Sequence, residues 1–271
     1  MIRDVTDSSR LPHGKLASLL SVGVGWVPGA TPGLAARPVM RIVAAFSSAW
    51  LGRCLGLPNS PVHDVGMLTT LTSQELLTVV GAAQSLEDLK RYFEGTPEAP
   101  PFTGGRFELL FGGGDREETA NMIAADDLVA VQLLSVSVPG VAALNLLEGQ
   151  LGKEVAMQLR HIPTDVDLGT PEAAAQFVDG SAAQEAYALL KSPYKIGWVT
   201  ATKLLARKRP RLVPVYDRVV RCAVGTPAGP WLWFQERFAE NGGELAAALR
   251  ELRADAGVSE GVSLPRFECW T

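Results

Sequence analysis

Cysteine and histidine are scarce in this chain, three of each, and that scarcity sets the first limits. Cys54, Cys222 and Cys269 are too few and too scattered for a disulfide framework or a four-cysteine metal cluster, so buried thiols in a reducing cytoplasm are the expectation. His13, His63 and His161 form no zinc-type pair such as H-E-x-x-H, and neither a metal nor another cofactor is predicted. Long apolar runs are missing too. The stretch from Val39 to Leu57 comes nearest, but Arg41 and Arg53 break it below the roughly 20 apolar residues a membrane span requires. Asp4 and Asp7 precede any apolar segment, which predicts no secretory leader and a cytoplasmic location. Strand-helix alternation and internal repeats are absent between 115 and 256, which excludes a doubly wound α/β sheet or a solenoid there.

What is present is a chain of 271 residues, 47% hydrophobic, long enough for one substantial core. Residues 1–72 are rich in Gly, Pro, Ala and Ser with weak periodicity. They read as an N-terminal extension whose order the pattern does not define, ahead of a helical domain at 73–271. Two helices are predicted after Ser73. Arg106 to Phe111 alternates like a short strand, and Gly112, Gly113 and Gly114 then form a flexible turn, with no Gly-Lys-Ser/Thr to make a phosphate loop. Asp115 with Glu118 predicts a capped helix start, and Asp126 or Asp127 a cap for an all-round apolar helix from Leu128 to Val136. Further helices are expected near 141–151, 153–160 and 171–178, from Ser181 with Gln184, from Pro230, and over Leu245–Arg253. The end, 263–271, reads as extended. The fold class is therefore mainly α, and the Trp231, Trp233 and Phe234 group reads as core.

Charge is unevenly distributed. The net charge is −4, yet between Lys191 and Arg221 nine basic residues (Lys191, Lys195, Lys203, Arg207, Lys208, Arg209, Arg211, Arg218 and Arg221) face one carboxylate, Asp217. A segment of that kind is an electrostatic footprint for a polyanion, with Arg207 to Arg211 expected at the solvent-exposed surface, in contact with phosphate. Within it, Pro193 interrupts one helix, Gly197 permits a tight turn, and Ala201, Leu204 and Leu205 give the next helix a packing face. The N–H groups opening that second helix, with Lys195 beside them, suit a phosphate.

Here the chain resembles the helix-hairpin-helix DNA glycosylase superfamily. Its signature is a hydrophobic-Gly-x-Gly-x-x-Thr-Ala turn followed by an extended segment and an aspartate. Ile196-Gly197-Trp198-Val199-Thr200-Ala201 matches the second half of that turn. Asp217 stands twenty residues after Gly197, behind Val213-Pro214-Val215-Tyr216. Leu128 to Ser135 looks like the family's apolar helix ahead of its DNA-probing loop. Three departures qualify the match: Lys195 replaces the first glycine, Val199 stands where bifunctional members carry a Schiff-base lysine, and Ser135, Val136 and Ser137 offer no inserted glutamine. The iron–sulfur cysteines of some branches are missing as well.

The resemblance implies a glycosylase-like helical fold and duplex DNA as partner, without a lyase step. It implies Asp217 as the catalytic carboxylate of a monofunctional DNA N-glycosylase in repair of damaged or modified bases. Lys195, Ile196, Gly197, Trp198, Thr200, Lys203, Arg207, Lys208, Arg211 and Arg218 would then hold the DNA. The alternatives are a non-catalytic DNA-binding module that keeps the hairpin, or a structural or protein-binding helical domain with Asp217 as a helix cap. The chain is also similar to an uncharacterised actinobacterial protein family, through Phe107 to Leu110, Asp126 to Val131 and Leu204 to Val220. That likeness implies no activity.

Overall fold

A computed structural model describes residues 70–94 and 102–258, and among these the regular structure is entirely helical. The expected features within 1–69 and 263–271, with Cys54 and Cys269, lie outside the described residues.

The first pair of helices is α1 (Ser73–Val80) and α2 (Ala83–Phe93). Thr72 caps α1 reciprocally with Glu75, each satisfying an N–H that the other's end of the turn leaves unpaired. Next come α3 (Ala125–Gln132), α4 (Gly140–Leu147), α5 (Gln150–Leu159) and the single turn α6 (Pro171–Ala174). The hairpin region holds α7 (Ala182–Lys191), α8 (Trp198–Lys208) and α9 (Arg218–Val224). The aromatic α10 (Pro230–Ala239) and α11 (Glu244–Asp255) complete the described part. The starts marked by Ser181–Gln184, Pro171 and Pro230 lie where the sequence signals place them.

Several expectations shift. The α3 helix begins three residues early, because Ala124 precedes it and Asp127 reaches back from inside to accept the Ala124 N–H at 2.9 Å. No helix starts at Asp115; residues 115–116 are a bend and 117–121 turns. The expected strand over Arg106–Phe111 is instead a pair of 3₁₀ turns, Thr103–Arg106 and Leu110–Gly112. Among the described residues there is no strand for it to pair with, and the Phe107, Glu108 and Leu110 carbonyls are taken by the Arg207 guanidinium. Nor is the glycine triplet simply a flexible turn. A Cβ on Gly114 would lie 2.4 Å from the Arg207 carbonyl oxygen and 2.8 Å from its Cγ, so only glycine lets this loop close on α8. The region 171–178 holds only the short α6.

The core centres on α8, which packs on α7 and on α3, while α7 also packs on α5 and α11 rests on α1, α2 and α10. Every residue from Thr200 to Lys208 is buried. The aromatic group joins the same core: Trp231, Trp233 and Phe234 are buried, with Trp231 edge-on to Tyr187 of α7 at 5.1 Å. Cys222 on α9 is half-buried and disulfide-bonded, which corrects the expectation of a buried thiol at that position. Among the described residues no helix is long and apolar enough to cross a membrane.

Candidate functional site

The turn between α7 and α8 is built by four residues. The Ile196 N–H donates to the Pro193 carbonyl at 3.0 Å, closing the turn, and the buried Ile196 side chain ties it to the core. Lys195 sits at the third position with φ +65°, a left-handed conformation that a glycine adopts without strain and a lysine does not. Gly197 is the N-cap of α8. It offers no side-chain cap, and no heavy atom lies within 4 Å of where its Cβ would be. The first-turn N–H groups of α8, which a helix cannot pair internally, therefore open toward an uncrowded approach.

Asp217 is the N-cap of α9. Its Oδ1 accepts the N–H groups of Val219 at 2.9 Å and Val220 at 3.1 Å. Its Oδ2 accepts no hydrogen bond but lies 3.2 Å from Lys203 Nζ, an ion pair with both side chains almost wholly buried. Lys203 in turn donates to the Leu134 carbonyl at 2.9 Å, just beyond α3. The hairpin and the aspartate are connected on a second side as well. Trp198, first residue of α8, contacts Tyr216, the neighbour of Asp217, with ring centroids 5.8 Å apart.

The basic run divides into two groups. Lys195, Lys191, Arg218 and Arg221 are exposed, and Arg211, also exposed, forms a two-pronged pair with Asp167 at 2.8 and 2.9 Å. Lys203, Arg207, Lys208 and Arg209 are 1% exposed or less, which corrects the expectation of a solvent-facing basic surface over Arg207–Arg209. Their head groups are committed inside the protein. Lys208 lies 2.7 Å from Asp127 Oδ2 and Arg207 Nε 3.3 Å from Asp127 Oδ1. The Arg209 guanidinium donates to the carbonyls of Ile162, Ala120, Lys208 and Leu159 and to Asn121 Oδ1. Leu134 follows α3 and Leu159 is the last residue of α5, so Lys203 and Arg209 place positive charge against the carbonyl ends of two helices, where the helix dipole is negative.

Burial lowers the pKa of all three end-of-helix cations. For Arg207 and Lys208 desolvation is partly offset by Asp127; Arg209, with only Asp115 opposing the effect at range, falls to about 10. For Asp126 desolvation is the largest single effect and pushes its pKa up, but the hydrogen bond from Arg116 at 2.6 Å, the Arg116 charge, a backbone hydrogen bond and the Arg207 charge together outweigh it and hold the carboxyl below the usual aspartate value. Asp127, buried at the centre of this network, reads from the sequence only as a helix cap; the doubled acid before an all-round apolar helix is the signal that marks it.

Of the residues expected to hold DNA, the structure gathers Lys195, Gly197 and half-buried Trp198 at one turn. Ile196 and Thr200 are buried behind it, Arg218 is exposed at the start of α9, and Arg211 is paired with Asp167. Among the described residues no group of three His, Cys, Asp or Glu side chains is arranged to hold a metal. A protein-family model described as "Family of unknown function (DUF6308)" matches residues 85–267, about two thirds of the chain. The chain belongs to the DUF6308 family. The matched span takes in the hairpin, Asp217 and the whole buried charge network. No curated protein and no solved structure matches the chain.

Proposed function

We propose that this DUF6308 protein has a helix-hairpin-helix, glycosylase-like fold and binds duplex DNA, gripping the phosphate backbone with the turn between α7 and α8. The observation that carries the proposal is the left-handed Lys195 followed by the open, uncapped Gly197 at the head of a helix rooted in the core. The exposed Lys195 stands two residues ahead of a helix N-terminus, where N–H groups and helix dipole favour an anion. Lys191, Arg218 and Arg221 supply further exposed positive charge on neighbouring elements. The mode of contact is non-catalytic, because Asp217 spends both oxygens on the protein: one on the start of α9, the other on Lys203.

The test is fluorescence anisotropy of the whole chain with a labelled blunt duplex at increasing salt. Affinity is expected to fall linearly on a log–log plot as counterions return to the phosphates. Gly197→Glu puts a carboxylate into open space at the proposed phosphate position; it should leave the circular dichroism unchanged and abolish binding. Absence of salt-sensitive binding by the wild type, or full affinity in Gly197→Glu, refutes the proposal.

One observation supports a second reading, base release by a monofunctional N-glycosylase: Asp217 Oδ2 is buried without a hydrogen bond, one tilted aromatic pair away from the turn. Opening the Lys203 pair would free that oxygen to stabilise positive charge on the deoxyribose. Release of free base from lesion-bearing duplexes, lost in Asp217→Asn, would establish it; no release from any lesion would remove it.

A further inference from the structure

Resting on the DNA-binding proposal, we infer that Tyr194 is a stacking platform for an unpaired nucleobase, so that the hairpin prefers DNA with a base out of the helical stack over uninterrupted duplex. Tyr194 occupies the outward corner of the turn closed by Pro193 and Ile196, and at 83% exposure it is the most exposed aromatic side chain among the described residues. Its neighbours behave differently. Trp198 leans on Tyr216 and Tyr187 on Trp231, so the fold can pack rings at this junction and does so, half-buried, on either side of Tyr194. An aromatic ring left in water forgoes the stabilisation of burial, and the local backbone does not require it there, since the second position of such a turn accepts most residues.

The presentation is fixed rather than floppy. Pro193 restricts the chain on one side, buried Ile196 anchors it on the other, and the strained Lys195 between them sets the direction in which the corner points. Lys195 Nζ lies 5.3 Å from the centre of the Tyr194 ring, and Gly197 opens α8 two residues further on. A π-face, a cation and a set of helix N–H groups thus follow one another along four residues. A nucleotide offers the complementary order, a flat base joined to an anionic phosphate. In continuous duplex both faces of each base are covered by its neighbours, and only an unstacked base can accept the tyrosine.

Two labelled probes separate this inference from the proposal beneath it: a blunt duplex, and the same duplex carrying an unpaired bulged nucleotide. The wild type is expected to bind the bulged probe about tenfold more tightly, Tyr194→Ala to lose that preference while keeping its affinity for the blunt duplex, and Tyr194→Phe to retain it. Because Tyr194 faces solvent, neither variant disturbs packing, and circular dichroism checks this. Equal wild-type affinity for the two probes, or a preference that survives Tyr194→Ala, overturns the stacking role and leaves duplex binding standing. Failure of the wild type to bind either probe overturns both.

Discussion

The cations of α8 and those of the hairpin turn are the same residue types within one short segment, and they do opposite work. Arg207, Lys208 and Arg209 point inward and hold the 107–110 segment, the Asp127 carboxylate and the carbonyls of Ala120, Leu159 and Ile162 to the central helix, whereas Lys191 and Lys195 stand in solvent with only an aromatic ring beside each ammonium. The difference lies in what surrounds them. Irregular segments and helix ends bring carbonyls into the interior without amide partners, and a guanidinium with five donors can satisfy several at once. A basic run is therefore a phosphate footprint only where the fold leaves its head groups unclaimed.

That contrast can be broken at its strongest point by removing Asp127. Asp127→Ala leaves Arg207 and Lys208 buried with no carboxylate within contact except Asp126 at 3.9 Å, and should cost about 3–5 kcal/mol, read as a lowered urea midpoint. Arg209→Met keeps the apolar stem and removes every donor to the carbonyls of Ala120, Ile162 and Lys208; a loss of about 3 kcal/mol is expected in the same experiment. Neither change should affect the hairpin's own affinity in variants that stay folded. Lys195→Gly sharpens the comparison from the other side. Relief of the left-handed strain should leave stability unchanged or raise it by up to about 1 kcal/mol, while DNA affinity and the slope of its salt dependence both fall.

The smallest effect belongs to the exposed pair. Arg211→Ala should cost less than about 1 kcal/mol, since the ion pair with Asp167 is half in water. The Arg211 hydrogen bond holds the Asp167 carboxyl below its ordinary value of 3.8, so the pair's contribution is complete above that pH and is lost as pH falls through the lowered folded-state pKa. In Arg211→Ala the stability difference from wild type should accordingly shrink in strong acid.

Local signals were legible in the sequence wherever one residue satisfies a neighbour's backbone. Ser181 accepting the Gln184 N–H, Pro230 opening α10 and Asp217 capping α9 each act within four residues, so spacing alone reveals them. The hairpin belongs to the same class, although the left-handed conformation of Lys195 could not be read from a lysine. The strand expected at Arg106–Phe111 illustrates the limit. Its alternation is real, but Phe107 and the carbonyls around it are held by Arg207, a hundred residues away.

By itself, then, the sequence determined a helical chain, the positions at which most helices begin, and a tight turn followed at a fixed distance by a capping aspartate, because those depend on contacts between near neighbours. Only the tertiary structure decided which cations face water and which close the core, why Gly114 must be glycine, and that Asp217 meets Lys203. Each of those depends on which distant carbonyl or carboxylate is brought within hydrogen-bonding reach, and only the packing of α8 against its neighbours fixes that distance.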